Sequence, residues 1–283
     1  MGTLEKELFG KEVGVSYPKE KKVNVLSLGA GVQSSALLLA YANGKLFPKP
    51  DFAVFADTQA EPPEVYRWLA TLEKEVKGAI KILRVSKGDL VTDFLNASKR
   101  AASIPLFLKN ADGSQGLAWR QCTQDYKIGV VHKAVRTELG YKPRQHMKHN
   151  ANMLIGISTD EALRVKDSRV KWIKNCYPLI DELKWTRGQC RAYVQSLGLP
   201  SPPRSACFMC PYRSNSEWLT MKTQQPETFA QAVRFDKATR ENNRFRGEPF
   251  VHRAMVPLDE VDFAKSTGLT SPLINECEGM CGV

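Results

Sequence analysis

The stretch Val23-Asn-Val-Leu-Ser-Leu-Gly-Ala-Gly-Val-Gln-Ser-Ser-Ala-Leu-Leu-Leu-Ala-Tyr-Ala42 decides the fold. Val23–Leu28 reads as a buried strand, Gly29–Gln33 is too glycine-rich to continue it, and Ser34–Ala42 reads as a helix. A turn from strand into helix is where main-chain N–H groups and the positive helix end can surround an anion. Gly29 and Gly31 let the main chain approach a phosphate, and Ser34 and Ser35 add hydroxyl donors. The motif is not a Walker A loop, since no Gly-Lys-Ser/Thr follows. Nor is it a full dinucleotide fingerprint, because serine fills the third glycine position. A glycine turn needed only for packing is the competing reading.

The same stretch does not read as a leader or a membrane span. Lys19, Lys21 and Lys22 precede it, but Glu20 lies among them, and Asn24, Ser27, Gly29, Gly31, Gln33, Ser34 and Ser35 interrupt the apolar run. The expectation is a soluble, cytoplasmic protein with no membrane partner.

Outward from the loop, Asp51–Ala56 reads as a second strand. Pro62 and Pro63 suit the first turn of a helix running to about Lys77. Ile80–Val85 and Asp89–Arg100 repeat the pair. This alternation predicts an α/β fold with a doubly wound, mostly parallel sheet. Ala101–Gln124 reads as a long loop, of a length that a compact domain keeps for function. Tyr126–Leu139 is expected to be helical and Met153–Ile157 a strand, with Asp160 placed to cap the helix after it. Further helices are expected at Arg187–Leu197, Ser216–Met221 and Pro226–Asn242. The expected organisation is an arm at 1–21, a nucleotide-binding α/β domain at 22–175, and a smaller, mainly helical, cysteine-bearing lobe at 176–283.

The formal net charge of +11 favours phosphate-bearing partners, although a solvated basic surface would give the same number. Lys142, Arg144 and Lys148 form one basic group. Arg164, Lys166, Arg169, Lys171 and Lys174 form another, and Arg234, Lys237, Arg240 and Arg244 share one arc of a helix. With Trp119, Trp172 and Tyr212 they suit a path for nucleic acid, where phosphate contacts give affinity and aromatics stack bases. His252 reads as structural before catalytic.

The cysteines are Cys122, Cys176, Cys190, Cys207, Cys210, Cys277 and Cys281. Without a secretory leader, clustered thiols point to metal or redox chemistry rather than a disulfide scaffold. Cys207-Phe-Met-Cys210 has the spacing that lets two thiolates grip one centre, and is half a site. Cys176 and Cys190 have apolar neighbours and read as packed core thiols.

The segment Ser27–Ser35 resembles the PP-loop of the adenine-nucleotide α-hydrolase superfamily, Ser-Gly-Gly-x-Asp-Ser in its usual form. Within it the likeness is to the phosphoadenosine-phosphosulfate (PAPS) reductase-like branch of sulfonucleotide reductases and DNA- or tRNA-thiolating enzymes. Gly31 takes the second glycine and Ser34 the serine, whereas Gly29, Ala30 and Gln33 replace Ser, Gly and Asp. Loss of that aspartate removes a negative charge and bears on Mg²⁺ handling. Asp57-Thr-Gln-Ala-Glu61 is similar to the family's Asp-Thr-Gly-x-Glu, which lies beside the nucleotide. Gly156-Ile-Ser-Thr-Asp-Glu161-Ala-Leu-Arg164 resembles its Gly-Ile-Arg-x-x-Glu-Ser-x-x-Arg. Alone, Glu161 and Arg164 would be a surface i,i+3 ion pair. In register with the other motifs, Arg164 becomes a phosphate ligand.

The resemblance covers roughly residues 23–212 and implies ATP with Mg²⁺ held by Ser27, Gly29, Ala30, Gly31, Gln33, Ser34, Ser35, Asp57, Gly156, Glu161 and Arg164. Asp57 and Arg164 would also act in catalysis. Cys122 resembles the cysteine that the family places before its Cys-x-x-Cys, so Cys122, Cys207 and Cys210 would be ligands, with Cys281 or Cys277 as the fourth. A [4Fe–4S] cluster is the implied group and structural Zn²⁺ the alternative. The tail Glu276-Cys-Glu-Gly-Met-Cys281-Gly is similar to the reductases' Glu-Cys-Gly, which makes Cys277 a candidate nucleophile. The implied activity is adenylation of a substrate, with nucleic acid (tRNA or DNA) preferred, followed by sulfur transfer from a sulfur-donor protein. A sulfonucleotide reductase releasing sulfite is the alternative. A non-catalytic nucleotide- or nucleic-acid-binding module with structural zinc is the second.

Overall fold

A computed structural model of the chain describes residues 22–96, 104–242 and 244–264. In chain order the elements are β1 (Val23–Ser27), α1 (Val32–Ala42), β2 (Phe52–Asp57), α2 (Pro63–Glu75), β3 (Lys81–Ser86), α3 (Leu90–Asn96), β4 (Phe107–Lys109) and β5 (Gln115–Leu117). A π-helical turn, Gln124–Ile128, runs into α4 (Gly129–Glu138) and leads to β6 (Ala151–Ile155). A 3-10 turn, Thr159–Arg164, precedes β7 (Ile173–Cys176), α5 (Pro178–Asp181), α6 (Arg187–Ser196), α7 (Asn215–Gln224), α8 (Pro226–Glu241) and β8 (Glu248–Phe250).

Five strands form one sheet in the order β3-β2-β1-β6-β7, and every neighbouring pair is parallel. Side chains alternate across it with the period of two that a pleated strand imposes. Leu26 and Ala53 face one apolar layer with Leu37, Leu69 and Val194, whereas Val25 and Val54 face a second layer with Val131 and Val135. Thus α1, α2 and α6 cover one face and α4 the other, which is the doubly wound α/β arrangement. Helix α1 is buried from Val32 to Tyr41, as a core helix rather than an amphipathic one. Each fully buried leucine on it contributes about 1.5–3 kcal/mol. Among the described residues no helix is long and apolar enough to cross a membrane.

Three findings differ from the sequence expectation. The stretch read as one loop, Ala101–Gln124, carries β4 and β5, which join β8 in a three-stranded antiparallel sheet. Strands of three residues are too short to show a period, and β8 lies far along the chain. Strand β7 is flanked by lysines and only Ile173 in it is buried, so its sequence reads as surface. Asp160 lies inside the 3-10 turn that directly follows β6, a turn whose N-cap is Ser158, and serves a later helix. Its carboxylate accepts from the N–H of Arg187 at 3.0 Å and so steadies the start of α6.

The sheet brings the ends of β1 and β6 together. A side chain on Gly156 would start 2.7 Å from the amide nitrogen of Ser34 in α1, so only glycine fits. Gly156→Ala should lower stability by roughly 1–3 kcal/mol through this overpacking, read as a fall in the urea midpoint. An unchanged midpoint would show that the two segments are free to separate.

Candidate functional site

Beyond β1 the chain turns into α1 and then β2 on one side, while β6 lies on the other. Such a switch point at the carboxyl ends of parallel strands is where open α/β sheets bind ligands. Ala30 has φ +58°, and Gly31, the N-cap of α1, is extended at φ −90° and ψ −175° with no side-chain cap. The left-handed region costs an L-residue roughly 1–2 kcal/mol, which gives a reason for the glycine that the resembled pattern has there. Within the described residues, the N–H groups of the six residues from Gly29 to Ser34 donate no hydrogen bond. All six residues are buried. A buried unsatisfied donor costs about 1–3 kcal/mol, a cost that a bound anion relieves.

The neighbouring side chains divide into two kinds. Ser34 Oγ turns back to the Gly31 carbonyl at 3.4 Å. The Ser35 hydroxyl accepts from the Trp68 indole of α2 at 2.8 Å, which leaves its own O–H to donate. Gln33 Nε2 donates to Ser158 Oγ at 3.3 Å, while Gln33 Oε1 is buried without a partner. Gly156 provides clearance rather than a contact of its own. Asp57, at the end of β2, accepts from the Gln59 N–H at 2.7 Å and the Tyr66 hydroxyl at 2.8 Å. Arg164 is paired with Glu161, and the pair is buried rather than on the surface, with side chains 11% and 0% exposed. The second oxygen of Glu161, Oε1, has no partner. A cavity of about 10 Å³, lined by Ser27, Gly29, Glu61, Lys127 and Ser205 among others, lies beside the loop. That is room for about one water.

The cysteines behave as a group. Cys122, Cys207 and Cys210 line one largely apolar cavity of about 30 Å³ with Thr58, Arg120, Lys127 and Tyr212. Among the described residues no three His, Cys, Asp or Glu side chains are placed to hold one metal ion together. The three thiols therefore surround a space without meeting at a point. Cys277 and Cys281 lie outside the described residues. Cys190 is fully buried in the core under α1, and Cys176 is half-buried at the end of β7.

One segment ties the two spaces together. Ser205 Cβ stands 3.6 Å from where a side chain on Gly31 would begin. Two residues on, Cys207 Sγ is 3.4 Å from Thr58 Oγ1, and the Phe208 N–H donates to the Ala60 carbonyl at 2.8 Å. Arg213, 5% exposed, donates to the carbonyls of Ala206 at 2.8 Å and Cys207 at 3.2 Å.

Sequence reading missed Lys127. It lies on the π-helical turn, lines both cavities, and pairs with Glu61 at 3.3 Å, with side chains 7% and 1% exposed. Burial opposes its charge, but the Glu61 carboxylate and then the Cys207 sulfur more than offset this, and its pKa rises. Burial and then Glu61 push the Cys207 thiol up, with Lys127 pulling the other way. Burial likewise raises the Cys122 thiol. A lysine five residues after a cysteine in a helical stretch carries no signature of its own. The π-turn, a conformation frequent at functional sites, becomes visible only in the fold.

Elsewhere the expected cations are partly committed to structure. Arg240 pairs with the buried Asp236, and Arg244 donates to the Phe94 carbonyl across the Phe94 ring. His252 is buried, accepts the Ala254 N–H at 3.1 Å and meets Asn215 Oδ1 at 3.0 Å. Burial, then Arg253, lowers its pKa to about 4. It is a structural histidine.

No protein-family model matches the chain, and no curated protein does. Among solved structures it is similar to phosphoadenylyl-sulfate (PAPS) reductase from Candida auris in its phosphate complex. Identity is 14%, 66% of this chain and 77% of that chain are covered, and the TM-score is 0.36. A likeness of that size leaves the fold resting on the strand order itself, an α/β sheet with a glycine-containing loop at its switch point.

Lys127→Met should lower stability by about 3–5 kcal/mol, because it leaves Glu61 charged and alone in the interior. Adding Glu61→Gln should recover most of that loss. Denaturant midpoints of the parent and the two variants are the check, and a single variant as stable as the parent would remove the pair from its central place.

Proposed function

We propose that the chain is a nucleotide-dependent enzyme of the PP-loop kind, taking ATP with Mg²⁺ and joining adenylation to sulfur chemistry. The observation that carries this is the run of unbonded amides from Gly29 to Ser34 at the switch point, connected through Lys127 to a cavity with three thiols. The amides and the α1 N-terminus supply fixed donors for phosphate charge. A substrate oxygen attacks the α-phosphorus of ATP, pyrophosphate leaves, and the oxygen carries AMP. The outer sulfur of a donor protein's persulfide then attacks the activated carbon and displaces AMP, and a second thiol of the donor reduces the resulting S–S bond, leaving sulfur on the substrate and a disulfide on the donor. Asp57, Gln33 and Glu161 provide acceptors near this corner, and Arg164, already paired, holds Glu161 in position. Entry of a nucleotide requires the Ser205 segment to shift from Gly31, because the space there holds little more than one water.

Three thiols around one cavity support a metal centre at this place, an iron–sulfur cluster with structural Zn²⁺ as the alternative. Cys122, Cys207 and Cys210 would hold three corners of a [4Fe–4S] cluster, with Lys127 and Arg120 facing its negative charge. When bound, the cluster would supply sulfur or redox equivalents. The basic balance favours a nucleic-acid substrate over a small one.

Two measurements test this reading. ATP incubated with the protein and a tRNA or DNA substrate should yield pyrophosphate and AMP. Release of sulfite from a sulfonucleotide with a thiol donor would instead make it a reductase. Protein purified without oxygen should contain iron and labile sulfide, and Cys207→Ala or Cys210→Ala should lose them. Gly31→Val, crowding Ser205, should abolish ATP binding with iron retained. Iron persisting after both cysteine changes would overturn the ligand assignment.

A further inference from the structure

At the edge of the main sheet opposite the phosphate loop, Asn150 and Trp172 immediately precede β6 and β7. The Ala151 N–H bonds the Trp172 carbonyl there at 2.8 Å. An open cavity of about 420 Å³ lies at this edge, lined by Arg136, Gln145, His146, Met147, Asn150, Lys171 and Trp172. It falls in the roughly 300–1,000 Å³ range of small-ligand sites and far exceeds the spaces at the loop and the thiols.

Its wall is braced. Arg136 donates to the carbonyls of Lys142 at 3.1 Å and Gln145 at 2.5 Å. The Tyr141 hydroxyl accepts the N–H groups of Lys148 at 3.0 Å and His149 at 3.2 Å. His132 packs edge-on against Trp172 with centroids 5.7 Å apart, which fixes the half-buried indole. Exposed Arg144 is held at φ +62°, in the left-handed region. A binding surface ordered beforehand loses less entropy on binding.

The charge around it is one-sided. Residues 142–174 carry eight lysines and arginines against three carboxylates, so nearly half of the net +11 sits in 33 residues. Of those cations only Arg164 forms an ion pair among the described residues. An aromatic wall inside a cavity, with cations continuing past its rim, suits an unstacked base whose neighbours on both sides carry phosphates. A duplex keeps its bases stacked and out of such a cavity. A free mononucleotide would leave the outer cations unused.

We propose that this cavity seats a base of a single-stranded nucleic acid, stacked on Trp172, with flanking phosphates on Arg144, Lys148 and Lys171. The site lies across the sheet from the phosphate loop and does not depend on nucleotide chemistry there.

The test is fluorescence anisotropy of labelled twelve-nucleotide oligothymidine and oligouridine over a salt series, using the full chain. Binding is expected, and the triple variant Arg144→Glu, Lys148→Glu, Lys171→Glu, all on exposed positions, should weaken it at least about tenfold. Its log–log salt slope should flatten by about 2, at about 0.7 per lost phosphate contact. Trp172→Ala should cost about tenfold through lost stacking, with Trp172→Phe recovering most of it. Gly31→Val should bind the oligomer as the parent does, so failure of the ATP reading would leave this one standing. Parental affinity and slope in the triple variant would overturn the proposal. So would stronger competition by duplex DNA or polyglutamate than by the unlabelled oligomer.

Discussion

The buried ion pair between Lys127 and Glu61 is the constraint on which the carboxyl edge of the sheet depends. Two charges taken out of water cost several kcal/mol each unless they hold one another in good geometry. Neither can therefore move alone. Glu61 closes the Asp57–Glu61 segment after β2, and Lys127 rides on the π-helical turn that leads into α4. The pair thus locks the start of one covering helix to the loop that borders the Gly29–Gln33 turn. It also sets a local field, since Lys127 favours and Glu61 opposes the ionised Cys207 sulfur.

The same edge is roofed by the segment from Ser205 to Arg213. Its contacts with Gly31, Thr58 and Ala60 place the Cys-x-x-Cys knuckle directly over the ends of β1 and β2. Arg213, bonded to the carbonyls of residues 206 and 207, fixes the knuckle from within. Cys207 lies only two residues beyond Ser205. Any displacement of Ser205 by a guest at Gly31 is then transmitted through a short, hydrogen-bonded stretch to the thiol cavity. The arrangement gives the proposed coupling of nucleotide and sulfur chemistry a physical route of one continuous chain segment.

What could be read from sequence follows from how each feature announces itself. Most of the large sheet was legible because β1, β2 and β6 are mainly apolar and helices follow at short spacing, whereas β7 was not. The small sheet was not, since Phe107–Lys109 and Glu248–Phe250 find each other only in three dimensions. Cys207 and Cys210 stood out by their spacing and Cys122 by its resemblance to a family cysteine, and the three line one cavity. Lysine and serine are common on every surface, so Lys127 and Ser205 passed unnoticed. The partner of Ser35 was not legible either, because one residue's advance along a helix turns a side chain by about a quarter turn, here toward the Trp68 indole, whose N–H it accepts.

The loop itself combines two unfavourable features, six unbonded buried amides and an alanine in the left-handed region. Such features persist only where the surroundings over-determine them. Helix α1 supplies that rigidity. Because it is buried on every side, between α2, α6 and the sheet, its leucines cannot exchange places without opening cavities costing several kcal/mol each. Its N-terminus is thereby held against Gly156 and the end of β6, with no freedom to slide back and satisfy its own amides. The amides stay without an internal partner because the core behind them cannot yield, and that is what leaves this stretch of main chain able to take a guest rather than close on itself as a turn.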